Sequence, residues 1–287
     1  MSFGKRLLRN ATALLTLCTL SPTLSGCSGK EPERVLLISV DGLRADAIGN
    51  TEYGKYLIEN YHHTLEVTTV DPSVTLPCHM SMFHSVPPTE HGVMDNNYTP
   101  NEALGNGICE ALLEKGKTSA IFYNWNQIGT IATEDSVQTS RFINGETEGW
   151  EESNKLLADA ATEHILNTPT DFVFLYLGFL DDSGHRCGWL SDEYYYALNE
   201  SLALVKAVSD AATKNGYTVI LTSDHGGHGF AHGSTLPEDM TVPLFIIGDK
   251  FAGGKNLGPA SILDVAPTVL DLFGISAPDY WQGKIIE

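Results

Sequence analysis

The fold of this chain follows from Val35-Leu36-Leu37-Ile38-Ser39-Val40-Asp41-Gly42, an apolar run that ends abruptly in an acid and a glycine. Four further apolar runs occupy residues 119–123, 172–180, 217–222 and 242–247. Runs of this length, rich in β-branched residues, are typical of strands that are buried on both faces of a sheet. The sequence therefore predicts a central sheet that includes residues 35–40.

Helical patterns separate these strands along the chain. They cover residues 104–114, 154–166 and 193–214, and a last pattern at 262–273 is followed by Gly274, a residue type that often ends a helix. This alternation predicts an α/β fold with a doubly wound, mostly parallel central sheet and helices on both faces. No repeat, low-complexity stretch or linker interrupts residues 34–287, so we expect a single domain there.

The N-terminus has the order of residues that is typical of a secretory signal. Lys5, Arg6 and Arg9 precede an apolar run at residues 11–20, and small residues follow that run. The apolar run is too short to span a membrane as a helix, which favours a cleaved signal peptide. An uncleaved N-terminal anchor helix is the alternative interpretation.

The stretch Leu24-Ser25-Gly26-Cys27 resembles the lipobox of bacterial lipoproteins. The resemblance implies a signal peptide over residues 1–27, lipid attached to Cys27, and a short tether at residues 28–33. It also implies an exported protein anchored in the bacterial envelope. Because Ser28 rather than an acid follows Cys27, the resemblance favours the outer membrane over the inner one.

The composition limits the classes of partner. The chain has 287 residues, of which 42% are hydrophobic, and a formal net charge of −19. This negative charge argues against binding to duplex nucleic acid, whose phosphates attract basic surfaces. A small anionic substrate would need a locally positive site, which metal ions can supply. Beyond Cys27 only Cys78, Cys109 and Cys187 remain, and in an oxidising compartment they would allow one disulfide between any two of them.

Acids and imidazoles follow three of the predicted strands. Asp41 follows the first, Asp181 and His185 follow the run at 172–180, and Asp224 and His225 follow the run at 217–222. In open α/β sheets, functional sites form at the carboxyl ends of the strands. Each motif alone is also common in turns. Together, however, several buried charges would be costly without a partner, and metal ions offset that cost. Oxygen and nitrogen ligands without thiolates fit zinc, with manganese possible, and such a site can hold two ions.

A nucleophile is offered by Thr75, which precedes a predicted helix at about residues 77–83. A hydroxyl residue just before a helix is often only its N-cap, and that interpretation stays open here. The alternative is functional. A helix N-terminus presents amide groups that attract an anion, and a metal ion beside the hydroxyl would lower its pKa.

The order of these pieces resembles the alkaline phosphatase superfamily, and within it the type I phosphodiesterase and nucleotide pyrophosphatase branch. The pieces that carry the resemblance are residues 38–42, 75–79, 90–97, 181–185, 223–226, 232–233 and 264–268. The resemblance implies a zinc-dependent hydrolase of phosphate esters, with phosphodiester or nucleotide pyrophosphate bonds favoured. The substrate would be a small phosphate ester.

The resemblance also implies roles for particular residues. Asp41, Asp224 and His225 would hold one Zn²⁺, while Asp181, His185 and His232 would hold the other. Thr75 would reach both ions and form a phospho-threonine intermediate. The last ligand is the least defined, because His228 is an alternative to His232 in the same glycine-rich stretch.

Three features bear on substrate and on rival functions. Cys78, a weak donor, stands three residues after Thr75, where the resembled branch has an asparagine that donates to a phosphate oxygen, so the resemblance does not define substrate preference. Tyr123, Asn124 and Trp125 end a predicted strand and could floor a substrate pocket, although aromatic residues at strand ends more often belong to the core. The motif Cys/Ser-x-Pro-x-Arg of sulfatases is absent at Cys78. A sugar-phosphate mutase is a further rival, although such enzymes generally carry extra domains.

Two alternative functions are kept. A phosphomonoesterase of the same superfamily would use the same catalytic residues, so only the pocket for the leaving group would separate it from a diesterase. A surface lipoprotein that binds metal without catalysis is the alternative from another class, because folds can outlive their activities. The sequence retains the nucleophile and all six proposed ligands, which favours the enzyme.

Overall fold

An eight-stranded sheet forms the centre of the computed structural model, which describes Met1 and residues 34–97 and 105–287. The order of the strands across the sheet is β4-β3-β5-β1-β6-β7-β2-β8. The strands are β1 (Arg34–Val40), β2 (His62–Thr68), β3 (Ser119–Tyr123), β4 (Thr139–Phe142), β5 (Phe172–Leu177), β6 (Tyr217–Thr222), β7 (Thr241–Ile247) and β8 (Ala260–Ser261).

Helices connect the strands. They are α1 (Ala45–Ile48), α2 (Glu52–Asn60), α3 (Thr75–His84), α4 (Pro88–His91), α5 (Ile108–Leu113), α6 (Gly145–Glu148), α7 (Trp150–Asn167), α8 (Phe179–Cys187), α9 (Asp192–Lys214), α10 (Pro237–Met240) and α11 (Val265–Leu272). Short 3₁₀ turns lie at Asn126–Thr130, Glu134–Ser136, Asp249–Phe251 and Ile262–Asp264.

The sheet is mostly parallel. Strand β1 pairs in parallel with both β5 and β6, and β3 pairs in parallel with β5 and β4. Strand β7 runs antiparallel to its neighbours β6 and β2. The carboxyl ends of β1, β5 and β6 therefore meet at one edge of the sheet, whereas the end of β7 points away from it.

Apolar side chains of β1 alternate between two cores, one on each face of the sheet. Leu37 belongs to the core that includes Met80 and Phe83 of α3 and residues of α5 and α11. Leu36 and Ile38 belong to the opposite core, which is covered by α7 and α9. Helices thus cover both faces, and the predicted doubly wound α/β fold is confirmed.

The predicted elements differ from the structure mainly at their ends. The run at 172–180 is a strand only to Leu177, because Gly178 starts a turn and α8 takes up the next residues. Strands β2, β4 and β8 were not predicted, since β4 and β8 are short and β2 mixes polar with apolar residues. The helix predicted at 104–114 begins at Ile108, while residue 104 lies outside the described residues.

Residues 34–287 pack as one compact unit in their described part. The proposed signal peptide, the tether and Cys27 lie outside the described residues. No helix of the described ranges has the length and apolarity to cross a membrane. Cys78, Cys109 and Cys187 are all free, so the disulfide that the sequence allowed is not formed among them.

Candidate metal centre

The carboxyl edge of the sheet brings the predicted ligands together. Asp41 directly follows β1, and Asp224 lies just beyond the end of β6. Asp181 and His185 lie one helical turn apart on α8, so they share one face of that helix. The remaining residues come from the start of α3 and from the loop that joins β6 to α10.

One group of candidate ligands is formed by Asp41, Asp224 and His225, whose donor atoms all lie within 4.8 Å of one another. The Nε2 atom of His225 lies 3.3 Å from Asp41 Oδ1 and 3.3 Å from Asp224 Oδ2. All three side chains are buried. This is the ligand set that the family resemblance assigned to one zinc ion.

A second group contains Asp181, His225 and His232, again with donor atoms within 4.8 Å of one another. His232 Nε2 lies 3.9 Å from Asp181 Oδ1, and the rings of His225 and His232 stack with their centroids 3.7 Å apart. His185 is adjacent rather than part of this group, with its Nε2 atom 3.5 Å from Asp181 Oδ2. The structure therefore places His185 beside Asp181, its predicted partner. His225, however, is a member of both groups.

Backbone carbonyls orient the three histidine rings. The Nδ1 atoms of His185, His225 and His232 lie 3.1, 2.8 and 2.9 Å from the carbonyl oxygens of Phe230, Gly226 and Ser73, respectively. A carbonyl oxygen only accepts, so each Nδ1 carries the hydrogen and each Nε2 of a neutral ring keeps a lone pair. Histidines that bind metals are commonly oriented in this way.

The carboxylates provide a test of whether a cation fits. Asp41 Oδ1, Asp181 Oδ1 and Asp224 Oδ2 are buried and have no hydrogen-bond partner among the described residues. Leaving a buried polar atom unpaired costs about 1–3 kcal/mol, and more when it is charged. The two aspartates of the first group direct these oxygens towards His225 Nε2. The donor set therefore fits a divalent cation with oxygen and nitrogen ligands, such as zinc.

Burial alters the protonation of the site. It raises the pKa of Asp41 and of Asp181 well above their usual range, and the pKa of Asp224 to about 7. The charge of neighbouring Asp224 adds to the effect on Asp41. Burial also lowers the pKa of His225 and of His232 to about 3, so these rings are neutral at pH 7. A bound dication would reverse the effect on the acids by favouring their ionised forms.

Thr75 is the first residue of α3 rather than its cap. The N-cap is Val74, and no side chain caps this helix, so the N-cap interpretation of Thr75 is wrong. Its Oγ1 instead lies 3.2 Å from His225 Nε2. The hydroxyl is therefore next to the atoms of both ligand groups, where the chemistry of a nucleophile requires it.

His228 lies apart from these groups. Its Nδ1 atom is 2.7 Å from Asp239 Oδ1, and it belongs to neither candidate ligand set. The carboxylate of Asp239 is fully buried in this contact, whereas the His228 ring is 41% exposed. The geometry thus favours His232 over His228 as the last ligand.

A cleft of about 180 Å³ opens over Thr75, Asp41 and Asp181. Its walls include Asn96, Trp125, Trp150 and Tyr176. Of these, only Trp125 was considered as a pocket residue from the sequence. Trp150 and Tyr176 carried no motif, because their position depends on contacts between distant segments.

Asn96 faces this cleft in a defined orientation. Its Oδ1 accepts a hydrogen bond from the amide of Leu76 at 3.0 Å, which leaves its NH₂ group as a donor for a ligand. The Leu76 amide is therefore already used, and Pro77 has none. Neither Leu76 nor Pro77 therefore has a free amide for an anion, and the NH₂ group of Asn96 is the donor available there.

Cys78 does not lie in the cleft. Its side chain belongs to the apolar core, and its Sγ accepts a hydrogen bond from Thr69 Oγ1 at 3.2 Å. The thiol is therefore turned away from the cleft and offers no donor to a ligand there. Tyr123 likewise packs in the core, whereas Trp125 lines the cleft.

A buried network positions Thr75 and Asp41. His79 donates through Nδ1 to the carbonyl of Thr75 at 2.8 Å, and its Nε2 accepts from Ser39 Oγ at 3.0 Å. Burial lowers the pKa of His79 to about 4, so the ring is neutral. The hydroxyl of Tyr176, which packs against His79, donates to Asp41 Oδ2. These contacts hold Thr75 and Asp41 in place from the buried side of the cleft.

Solved structures of similar shape share this fold. Murine ectonucleotide pyrophosphatase / phosphodiesterase 5 superposes with a TM-score of 0.72 at 17% identity, covering 88% of this chain and 97% of that protein. An inactive form of it in complex with AMP gives 0.73 at 15% identity, with the same coverage. A 2-O GAG sulfatase gives 0.68 at 15% identity and covers 89% of this chain and 73% of that protein. At these identities the similarity shows the alkaline phosphatase-like fold alone.

Relatives of known function match shorter parts of the chain. A 2,3-bisphosphoglycerate-independent phosphoglycerate mutase from Desulforudis audaxviator is 41% identical over 81 residues, which is 26% of this chain and 16% of the mutase. The corresponding enzyme of Clostridioides difficile is 24% identical over 212 residues, or 63% of this chain and 39% of the enzyme. The chain thus spans well under half the length of these relatives, so their mutase activity is not transferred to it.

Family matches complete the comparison. Residues 202–275 match the sulfatase family, and residues 35–231 match the family described as Type I phosphodiesterase / nucleotide pyrophosphatase. The fold and these matches define the class, which is the alkaline phosphatase superfamily of phosphoester hydrolases and sulfatases. The longer match covers most of the chain, and the chain belongs to the type I phosphodiesterase / nucleotide pyrophosphatase family.

Proposed function

We propose that this protein is a zinc-dependent hydrolase that cleaves phosphodiester or nucleotide pyrophosphate bonds through a phospho-threonine intermediate on Thr75. The observation that carries the proposal is the position of the Thr75 hydroxyl, 3.2 Å from His225 Nε2 and beside the unpaired carboxylate oxygens. The family supports a phosphate ester as substrate. A fold neighbour solved with AMP supports a small nucleotide or a related ester.

The proposed ligands divide between two ions. Asp41, Asp224 and His225 would hold one Zn²⁺, and Asp181, His185 and His232 would hold the other, with Mn²⁺ as a possible substitute. Zinc bound there would stabilise negative charge on phosphoryl oxygens and lower the pKa of a nearby hydroxyl.

The residues of the chain carry the two steps. Asn96 donates to a phosphoryl oxygen and orients the substrate over Thr75. The Thr75 oxygen then forms a bond to phosphorus as the bond to the departing oxygen breaks. The hydroxyl proton ends on the departing group, which is an alcohol for a diester and a phosphate for a pyrophosphate. In the second step water attacks phosphorus, the bond to Thr75 breaks, and the threonine regains its proton.

The cellular location is part of the proposal. Residues 1–27 would direct export, and lipid on Cys27 would anchor residues 34–287 as a single catalytic domain in the envelope, at the outer rather than the inner membrane. The test is Cys27→Ser in a bacterial host, followed by separation of membrane and soluble fractions. Wild-type protein is expected in the outer-membrane fraction and the variant outside it. An unchanged distribution would contradict lipid anchoring.

The test of function uses purified residues 28–287 with zinc. The rates of hydrolysis of p-nitrophenyl phosphate and bis-p-nitrophenyl phosphate are compared, with chelator-treated protein as the control. We expect metal-dependent activity with a preference for the diester. A preference for the monoester would identify a phosphomonoesterase. Zinc binding without activity on either ester would favour the non-catalytic lipoprotein.

A further inference from the structure

A second cavity, here called the side cavity, adjoins the cleft. It has a volume of about 550 Å³ and lies between the first turns of α7 and α9 and the length of α8. Trp150 and Asp182 line both the cleft and the side cavity. A phosphate ester bound over Thr75 can therefore extend one substituent past these two side chains into the larger space.

Aromatic side chains form part of its wall. They are Trp150, Phe179 and Tyr196. The Trp150 ring lies directly on glycine backbone, because a Cβ atom at Gly178 would be 2.7 Å from it and one at Gly145 only 2.4 Å. The ring is thus fixed between the two spaces. Such surfaces pack against the carbon atoms of a ligand and attract cations to their faces.

Both basic side chains of the side cavity are already paired. Lys155 Nζ lies 2.6 Å from Glu151 Oε1, and Arg186 Nη1 lies 3.1 Å from Asp182 Oδ2. These pairs are close to neutral as units. They offer little attraction to an anionic substituent, because each cation would have to leave its carboxylate first.

Two acids remain in the side cavity. Glu152 and Glu193 line it, and in the described part of the chain neither takes part in a hydrogen bond or ion pair through its carboxylate. Glu152 lies in the first turn of α7, and Glu193 lies in the first turn of α9. The side cavity therefore combines aromatic walls with a net charge of two negative units.

We propose that the side cavity binds an ammonium-bearing substituent of the substrate, so that the enzyme prefers phosphodiesters of amino alcohols. The proposal rests on the phosphate-ester hydrolysis proposed above. The ammonium group meets Glu152 and Glu193, and its carbon chain packs against Trp150. A second anionic group in the same place meets two unpaired carboxylates, whereas a neutral group gains only the aromatic contacts.

Three p-nitrophenyl diesters test this proposal, since they share one leaving group and differ only in the second substituent. The substituents are 2-aminoethyl, propyl and 2-carboxyethyl. Exposed charge pairs contribute about two- to fivefold each, so kcat/KM for the aminoethyl ester should exceed that for the propyl ester by about fourfold or more. The carboxyethyl ester should be the slowest, and added salt should reduce the differences.

The variant for this test is Glu152→Gln combined with Glu193→Gln. The ratio of aminoethyl to propyl kcat/KM should fall to about one, because both charges are removed without loss of side-chain size. Glu163→Gln is the matched control, since Glu163 is exposed on α7 and does not line the side cavity. It should keep the wild-type ratio. Equal rates on the two esters in the wild-type protein, or a preference that survives the double substitution, would overturn the proposal.

Failure of the proposed function gives a different result. If zinc-loaded protein hydrolyses none of the three diesters, the proposed hydrolysis is wrong. The side cavity is then tested by calorimetric titration of zinc-loaded Thr75→Ala protein with the aminoethyl and propyl diesters. Tighter binding of the aminoethyl diester supports the cavity proposal, and equal binding refutes it.

Discussion

Three aspartates of the candidate metal centre each keep one buried oxygen without a hydrogen-bond donor. A folded protein rarely leaves such atoms unpaired unless another group completes them. The opposite oxygen of Asp41 is held by the Tyr176 hydroxyl, and the opposite oxygen of Asp224 lies 3.3 Å from the Gly42 amide. At the level of single residues, one side of these two carboxylates is thus fixed by the protein and the other is left for a cation.

Substitution of the proposed nucleophile should separate chemistry from metal binding. Thr75→Ala is expected to lower diester hydrolysis by about 10³-fold or more, because no other hydroxyl replaces the attacking group. The six protein ligands remain, so zinc content measured by mass spectrometry should be unchanged. Thr75→Ser keeps a hydroxyl and should retain measurable activity. An alanine variant with near wild-type rate would exclude Thr75 as nucleophile.

Removal of the hydroxyl behind Asp41 tests the orientation of that ligand. Tyr176→Phe should weaken zinc binding by about tenfold, because partners that orient ligands contribute effects of that size. Affinity is measured by competition with a chelator of known strength. Tyr217→Phe is the control. The Tyr217 hydroxyl donates to the Thr170 carbonyl oxygen, 2.7 Å away, and Tyr217 is the first residue of β6, so it lies at the edge of the sheet opposite the metal centre. Equal zinc affinity in the two variants would show that the contact with Asp41 is not needed.

At the level of elements, the junction of β5 and α8 determines the geometry of the site. The strand stops at Leu177, and α8 then presents Asp181 and His185 on one face. Gly178 lies between the strand and the helix, and its amide donates to Asn124 Oδ1 at 3.2 Å. The absence of a side chain there lets the Trp150 ring pack against the backbone.

A methyl group at this junction should disturb both stability and function. Gly178→Ala places Cβ 2.7 Å from Trp150, so we expect a loss of about 1–3 kcal/mol in the free energy of unfolding and a lower kcat/KM. Denaturant titration and diester hydrolysis measure these effects. Gly49→Ala is the control, because Gly49 has helical dihedral angles and its Cβ would meet only one atom, at 3.9 Å. If both variants unfold like the wild type, the Trp150 contact is not constraining.

At the level of the whole molecule, stability should depend on pH in a way that metal changes. Burial lowers the pKa of His225 and of His232 from 6.5 to about 3, so below pH 6.5 the unfolded chain binds more of these protons and stability rises with pH. Burial raises the pKa of Asp224 from 3.8 to about 7, and it also raises that of Asp41 and Asp181. For these acids the folded state holds more protons, so stability falls as pH rises.

Above pH 6.5 the contribution of the two histidines to the free energy of unfolding no longer changes with pH, and only the contribution of the three aspartates still does. Metal-free protein should therefore lose stability as pH rises from about 6.5 through about 7 and beyond. Saturating zinc should remove this decline, because it binds the ionised carboxylates of the folded state. Thermal unfolding at several pH values, with chelator or with zinc, measures both effects. A metal-free protein whose melting temperature is constant over this range would contradict the raised pKa values.

Much of the fold could be predicted because burial on both faces leaves a strong signal in the sequence. Five strands of the sheet and its main helices follow from apolar runs and helical periodicity. The edge strands β4 and β8 escaped prediction, since a short strand with exposed residues gives little apolar pattern. The end of β5 was misplaced because Phe179 and Leu180 are as apolar as the strand, although they belong to α8.

The sequence by itself determined the kinds of donor atom and their places at strand ends, because a parallel sheet collects its carboxyl ends at one edge. Only the tertiary structure showed that His228 contacts Asp239, that the Cys78 thiol is buried in the core, and that His225 belongs to both ligand groups. It also brought Trp150 between the cleft and the side cavity. Such contacts join residues far apart in the chain, and their directions depend on packing that no local pattern records.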